Sequence, residues 1–204
     1  MKSGVAILVG LSVICVPARP QARGAEVRLA HLLASEGRRS EGIAEVAASN
    51  GRLVPLLISW TRQTPAEFSS ILDRHELYVG LADCFAELRT KEAMPFLVQN
   101  VGLERLLTGG KMMAGTPEGM ASEEGLVSMP AARALVRIGP DSSAALIDAY
   151  WKSMSARDRM VALSVIGRIG ATGAREFLGH VMQEADWERS RAADALKRLD
   201  ARAK

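Results

Sequence analysis

Aromatic residues are scarce in this sequence: phenylalanine, tryptophan and tyrosine together make up 4% of its 204 residues. The other apolar residues are mostly alanine, leucine, valine, isoleucine and methionine, a mixture that favours helices over sheets. We therefore expect an all-α protein with little or no β-structure. Hydrophobic residues make up 48% of the chain and charged residues 24%, which is ordinary for a folded domain with one sizeable core.

The sequence also lacks a cluster of charge of one sign. Its 26 basic and 23 acidic residues are spread along the whole chain, and the formal net charge is +3. Nucleic-acid binding normally requires a clustered basic face together with aromatic side chains that stack on bases. The basic residues are therefore interpreted as solvating the surface, and no nucleic-acid partner is expected.

Cysteine is nearly absent, with two residues in the chain, Cys15 and Cys84. Cys15 ends an apolar segment, as a lipid-modified cysteine would. However, Ile14 stands where a lipoprotein signal has Gly, Ala or Ser, and Ser12 stands where Leu is usual. If the N-terminal segment is removed, Cys84 has no partner for an intramolecular disulfide, and we predict that it is a small core residue rather than a nucleophile.

The N-terminus has the three parts of a secretory signal: Lys2, an apolar stretch over residues 5–16, and small residues after it. Cleavage after Ala18 is favoured, because Val16 and Ala18 then occupy the two positions that signal peptidase reads. The apolar stretch is shorter than the roughly 20 residues needed to span a bilayer. We expect an exported protein, periplasmic or extracellular, without stable membrane insertion; tethering by an uncleaved segment is the alternative.

An apolar pattern repeats in the C-terminal part of the chain, and repeats decide an architecture. Each copy has the spacing i, i+3, i+4 and i+7, which places its four residues on one face of a helix. The copies follow each other at steps of 31 and 30 residues. They are Ala131, Ala134, Leu135 and Ile138; Ala162, Val165, Ile166 and Ile169; and Ala192, Ala195, Leu196 and Leu199.

Second helices are predicted between these copies, so that each unit is a helical hairpin. Their apolar faces are predicted to be Ala144, Ile147 and Trp151 in one unit and Ala174, Phe177, Leu178 and Val181 in the next. Gly139 and Gly170 follow the first helices, where a terminating residue with positive φ is favoured, and Pro140 suits the start of the next helix.

The segments PAARALVRIGPDSSAALIDAY and RMVALSVIGRIGATGAREFLGHVM resemble two consecutive HEAT repeats of the short bacterial type. Ala134, Leu135, Ile138 and Gly139 match the pattern that closes the first helix of such a repeat. The resemblance is looser upstream, in RLVPLLISW and AMPFLV, and covers roughly residues 40–200. It implies an α-solenoid of stacked antiparallel helical hairpins, HEAT or armadillo-like, over residues 39–204, after a signal peptide at 1–18 and a linker with a leading helix at 19–38.

Residues 109–128 interrupt the repeats with five glycines, one proline and no apolar helical pattern. A flexible insertion is predicted here, either a tolerated surface loop or a loop that binds a partner. Met112, Met113 and Met120 carry thioethers of the kind that bind Cu(I). Their spacing is irregular and no His or Cys lies nearby, so no metal site is predicted.

No catalytic constellation is found in the sequence. His31, His75 and His180 lie in separate units without the spacing of metal ligands, and no nucleophile turn of the G-x-S-x-G type occurs. We therefore expect no enzyme, no cofactor and no assigned catalytic residue. The favoured function is a non-catalytic scaffold that presents helices to a protein partner of unknown identity. The alternative, implied by bilin lyase-type relatives of these repeats, is a lyase-like enzyme that handles a tetrapyrrole or other cofactor.

The signal-peptide prediction can be tested on the exported product. Its N-terminus is expected at or near Arg19, because cleavage after Ala18 best satisfies the small-residue rule. Mass spectrometry of the protein recovered from the envelope or medium would show the mass of a chain that begins at Arg19. An intact N-terminus in the membrane pellet would instead support the uncleaved tether.

Overall fold

The computed structural model describes residues 20–105 and 123–202, with side chains described for 23–105 and 125–202. These residues form eleven α-helices and three short 3-10 helices, and no strand occurs among them. The predicted all-α class is therefore confirmed. The helices are α1 (Pro20–Ala34), α2 (Arg39–Ala48), α3 (Val54–Arg62), α4 (Ile71–Leu88), α5 (Met94–Gln99), α6 (Glu123–Ser128), α7 (Pro130–Ile138), α8 (Pro140–Ser153), α9 (Ala156–Ile169), α10 (Ala174–Glu184) and α11 (Arg189–Arg202).

The helix ends follow local sequence signals. The Ser155 hydroxyl accepts a hydrogen bond from the Asp158 backbone N–H at 3.2 Å and so caps the N-terminus of α9. Gly139 and Gly170, which the sequence predicted to end helices, follow α7 and α9 with φ of 94° and 68°. Pro140 opens α8, where its missing N–H leaves no hydrogen bond unmade.

The helices pack in two rows. In the first row α1, α4, α7, α9 and α11 each pack against the next, and in the second row α8 packs between α5 and α10. Helix α4, the longest at 18 residues, also contacts α2 and α3. The buried apolar side chains form one continuous core along these rows.

The three repeated apolar patterns lie on α7, α9 and α11 of the first row. Within each pattern the residues at i and i+3 are buried, and i+4 is buried in α7 and α9. The residues at i+7 are partly buried against the core, and so is the i+4 residue of α11. These residues are Ile138, Ile169 and Leu199 at i+7 and Leu196 at i+4. The periodicity therefore identified the faces of these three helices that pack inward.

The predicted inward face of α8 is wrong, whereas that of α10 is confirmed. Helix α10 buries Ala174, Phe177, Leu178 and Val181. Helix α8 instead buries Leu146 and Tyr150, while Ala144 is exposed and Trp151 is 47% exposed. The reason is that α8 carries two apolar faces, since Leu146 and Tyr150 are spaced i, i+4 as well as Ile147 and Trp151. Periodicity alone could not choose between them.

The C-terminal end of the predicted insertion needs a correction. Residues 123–128 form α6, which packs against α7 and places Leu126 in the core at 5% exposure. This short helix was missed because six residues include too few apolar side chains for a periodic pattern. The rest of the insertion, up to residue 122, lies outside the described residues, as does the predicted signal peptide.

Cys84 is a core residue, as predicted. It lies on the inward face of α4 with no exposed surface. Burial, with smaller effects from the Asp83 and Glu87 carboxylates, raises the pKa of its thiol to about 12. The thiol therefore stays protonated at neutral pH and is a poor nucleophile. No described helix is long and apolar enough to be a candidate membrane span.

Two glycines allow neighbouring helices of the first row to approach closely. A Cβ on Gly80 of α4 would lie 2.2 Å from the Leu33 carbonyl oxygen of α1. A Cβ on Gly167 of α9 would lie 2.7 Å from the Ala195 Cβ and 2.8 Å from its carbonyl oxygen on α11. Since the atoms that an added Cβ would meet belong largely to the backbone, the helices themselves would have to separate.

The substitution Gly167→Ala is therefore expected to lower the free energy of unfolding. Overpacking a core costs about 1–3 kcal/mol, which outweighs the helix-propensity gain of about 1 kcal/mol. Gly179→Ala on α10 is the matched control, because a Cβ there meets nothing within 4 Å and should be neutral or stabilising. Urea unfolding of both variants measures the difference. Equal stabilisation by both would contradict the close α9 to α11 contact.

Candidate functional site

An open groove of about 600 Å³ lies between α8 and α10. Its lining comes from Ile147 of α8 and from α10 and the turn before it: Gly173, Glu176, Phe177, Gly179, His180 and Gln183. Gly173 and Gly179 have no side chain to fill it, and a Cβ on either would meet nothing within 4 Å. The groove is thus open partly because these two positions carry glycine.

Helix α8 contributes Ile147 to the groove, and the face of α8 that carries Ile147 is apolar and partly exposed. Ala144, Ile147 and Trp151 follow each other at i, i+3 and i+7 and therefore lie on one side of the helix. Trp151 packs edge-on against the buried Tyr150 ring at a centroid distance of 4.8 Å, and Tyr150 packs against Phe177 at 5.0 Å. The exposed Trp151 indole therefore packs on a buried ring that itself packs against Phe177.

Tyr150 belongs to the core below this face and not to the groove. Burial, followed by the negative charge of the nearby Glu188 carboxylate, raises the pKa of its hydroxyl. The phenol therefore remains protonated. The Arg159 guanidinium lies 5.8 Å from the centre of the Tyr150 ring and donates to Glu188 at 2.5 Å, which balances this buried carboxylate.

The charged groups beside the groove are mainly acidic. Glu184 lies 3.1 Å from His180, and Asp148 is paired with Lys152. Among the residues that the structure describes, Glu176 is exposed at the groove and forms no ion pair. Glu176 thus places a carboxylate at the groove without a counter-charge among the described side chains, although the chain as a whole is positive.

A second polar centre surrounds Asp83, which is 3% exposed on α4. Arg105 donates from Nη2 to Asp83 Oδ1 at 2.5 Å and from Nε to the Val127 carbonyl oxygen at 2.8 Å. The Arg105 backbone N–H also donates to the Ser128 carbonyl oxygen at 2.9 Å. Arg105 therefore links the chain before residue 106 to the chain after residue 122 and ties both to α4.

Further ion pairs surround this link. Arg39, itself buried, donates to Glu76 at 2.8 Å and to the Leu33 carbonyl oxygen at 2.9 Å, and approaches Asp83 to 3.9 Å. Arg157 of α9 pairs with Glu104, whose carbonyl oxygen is bonded to His75 Nε2 at 2.8 Å. Each buried charge has partners, which is what a structural network requires. We assign this centre to stability.

The histidines and carboxylates are not brought together into a metal site. Within residues 20–105 and 123–202 no group of three or more His, Cys, Asp or Glu side chains could hold a metal ion. His31 packs against the Phe68 ring at 5.0 Å, His75 belongs to the network described above and His180 lies at the groove. The methionines of the predicted insertion lie outside the described residues.

A smaller cleft of about 220 Å³ lies at the other end of the chain, between α1 and the turn after α3. Trp60, which is 6% exposed, and Pro65 line it together with charged side chains of α1 such as Arg23. It exposes no large apolar side chain, and for this reason the groove between α8 and α10 is the stronger candidate.

Comparison with known proteins identifies no family. No family model and no curated protein matches the chain. Among solved structures, a crystal structure of an engineered protein matches with 16% identity and a TM-score of 0.33, covering 93% of this chain and 94% of that one. Such a TM-score carries no argument about fold or function.

The Asp83 network can be tested by removing its carboxylate. Asp83→Ala is expected to lower the free energy of unfolding by about 3 kcal/mol, because Arg105 and Arg39 lose a buried counter-charge. Asp148→Ala removes an exposed carboxylate from an i, i+4 pair with Lys152 and should change stability little. Chemical denaturation compares the two variants. Equal midpoints for Asp83→Ala and the unsubstituted protein would show that the network does not stabilise the fold.

Proposed function

We propose that this protein is a non-catalytic interaction or scaffold protein of the cell envelope, which presents a helical-repeat surface to a protein partner. The observation that carries the proposal is the apolar face of α8, which contributes Ile147 to the groove beside α10 and leaves Trp151 exposed. Large contiguous apolar surface on a folded protein typically marks an interaction site. Tryptophan is also enriched among residues that dominate binding energy, and Trp151 is 47% exposed at this place.

The proposed architecture is an α-solenoid of HEAT-like hairpins. Its support is the order of helix neighbours, because each helix of the first row packs on the next and α5, α8 and α10 form a second row. The repeat step of 31 and 30 residues agrees with one hairpin per unit. Helix α11 packs on α9 and α10 and turns Ser190, Asp194 and Lys197 to solvent.

The proposed location is periplasmic or extracellular. It rests on the signal-like sequence over residues 1–18, with a membrane tether by an uncleaved segment as the alternative. A partner would then be another envelope or extracellular protein. The alternative of a tetrapyrrole-handling enzyme makes a different prediction, since the purified protein would absorb visible light.

The scaffold function can be tested by site-specific photocrosslinking in the native envelope. A benzophenone amino acid at position 151 is expected to give a discrete adduct with one partner, because this position lies on the proposed contact surface. Position 71 on α4 is the matched control, since Ile71 is 86% exposed but lies outside the groove. Gel electrophoresis and mass spectrometry identify the adduct.

The same experiment includes two checks. Adding Ala144→Lys to the position-151 protein should remove the adduct, because a charged side chain at this exposed position of the same helix face opposes apolar contact. Adducts of equal intensity from positions 151 and 71 would indicate nonspecific contact and contradict the proposal. Bound pigment in the purified protein would favour the enzyme alternative.

A further inference from the structure

The two helices that form the groove differ in how much apolar surface they bury. Helix α10 turns its apolar face into the core and presents Glu176, His180 and Gln183 outward. Helix α8 buries Leu146 and Tyr150 and still presents Ile147 and Trp151. A helix that is apolar on two sides is normally buried on both. The outward side of α8 therefore leaves Trp151 47% exposed beside Ile147, which is itself partly packed against the core.

The charges around this face indicate what covers it. Glu176 lines the groove, Glu184 lies 3.1 Å from the lining His180, and Asp148, which follows the lining Ile147 in sequence, is paired with Lys152. A partner with acidic residues would bring like charges together at the rim. A partner with lysine or arginine would meet the unpaired Glu176 carboxylate, and its cation could also stack on the exposed Trp151 ring.

The dimensions of the groove favour a helical partner. Helix α10 has 11 residues, so the groove beside it extends for about 16 Å, or three turns of helix. An amphipathic helix in a groove inserts side chains at i, i+3 or i+4, and i+7, over two turns. Ile147 and Phe177 line the groove, and Trp151 follows Ile147 by one turn on the same face of α8 and is 47% exposed.

We infer that the groove between α8 and α10 binds an amphipathic helix of a partner protein, whose apolar side chains contact Ile147 and Trp151 and whose flanking lysine or arginine residues pair with Glu176. This inference rests on the proposed function and adds the chemical class of the partner. The acidic rim distinguishes such a helix from an anionic membrane surface, which the same carboxylates would repel.

The test uses the full chain and two designed peptides of about 18 residues, each an amphipathic helix with leucine on one face. One carries lysine on the polar face and the other carries glutamate. Fluorescence anisotropy of the labelled peptides should show binding of the lysine peptide that weakens with added salt. The glutamate peptide should bind at least about tenfold more weakly, since like charges meet at the rim.

Three variants locate the binding site on the protein. Glu176→Lys and Trp151→Ala should each weaken binding of the lysine peptide about tenfold, and Glu176→Lys should improve binding of the glutamate peptide. Ile71→Ala, at an exposed apolar residue outside the groove, should leave both affinities unchanged. All three positions are exposed at the surface, so each substitution should leave the helices intact. Circular dichroism of each variant checks this.

Two outcomes would overturn the inference. Equal binding of the two peptides, or binding unaffected by Glu176→Lys and Trp151→Ala, would show that the groove does not select a cationic helix. Cosedimentation with phosphatidylglycerol vesicles that is lost in Trp151→Ala would assign the face to a membrane instead. If crosslinking from position 151 still gave its specific adduct, the scaffold function would stand and only the partner class would be wrong.

Discussion

Close contact between successive helices of the first row is the constraint on which the rest of the structure depends. Gly80 lets α4 approach the Leu33 carbonyl of α1, and Gly167 lets α9 approach Ala195 of α11. Small residues at these crossings bring the axes together, so that leucine and isoleucine side chains from neighbouring helices fill the remaining space at the density of a protein interior. The second row, and with it the groove, takes its position from this packing.

The groove follows from the way α8 fits into that arrangement. Because α8 packs between α5 and α10 and also contacts α7 and α9, only one of its two apolar faces can turn inward. Tyr150 fills the inward space against Phe177. Ile147 then remains at the groove beside Glu176 and Gly179, and Trp151 remains exposed. The candidate site is thus a consequence of packing.

The polar interior has a different role. Asp83 and its arginines connect α2, α4 and α7 to the residues on both sides of the segment 106–122. Buried ion pairs of this kind add little net stability compared with apolar packing, but removing one partner is costly, which fixes the arrangement once it has formed. Arg105 shows this best, since one side chain satisfies a carboxylate and a carbonyl oxygen at the same time.

Local chemistry in the sequence determined the helical class, the ends of α7 and α9 at Gly139 and Gly170, and the inward faces of the helices that repeat one apolar pattern. These features depend on residues within a few turns of each other, so spacing alone predicts them. Only the tertiary structure decided which side of α8 is buried, because Leu146 with Tyr150 and Ile147 with Trp151 have the same spacing. The choice depends on how well each face fits helices distant in the chain. The Asp83 network was likewise invisible in the sequence, since its members become neighbours only when α4 packs between α1 and α7.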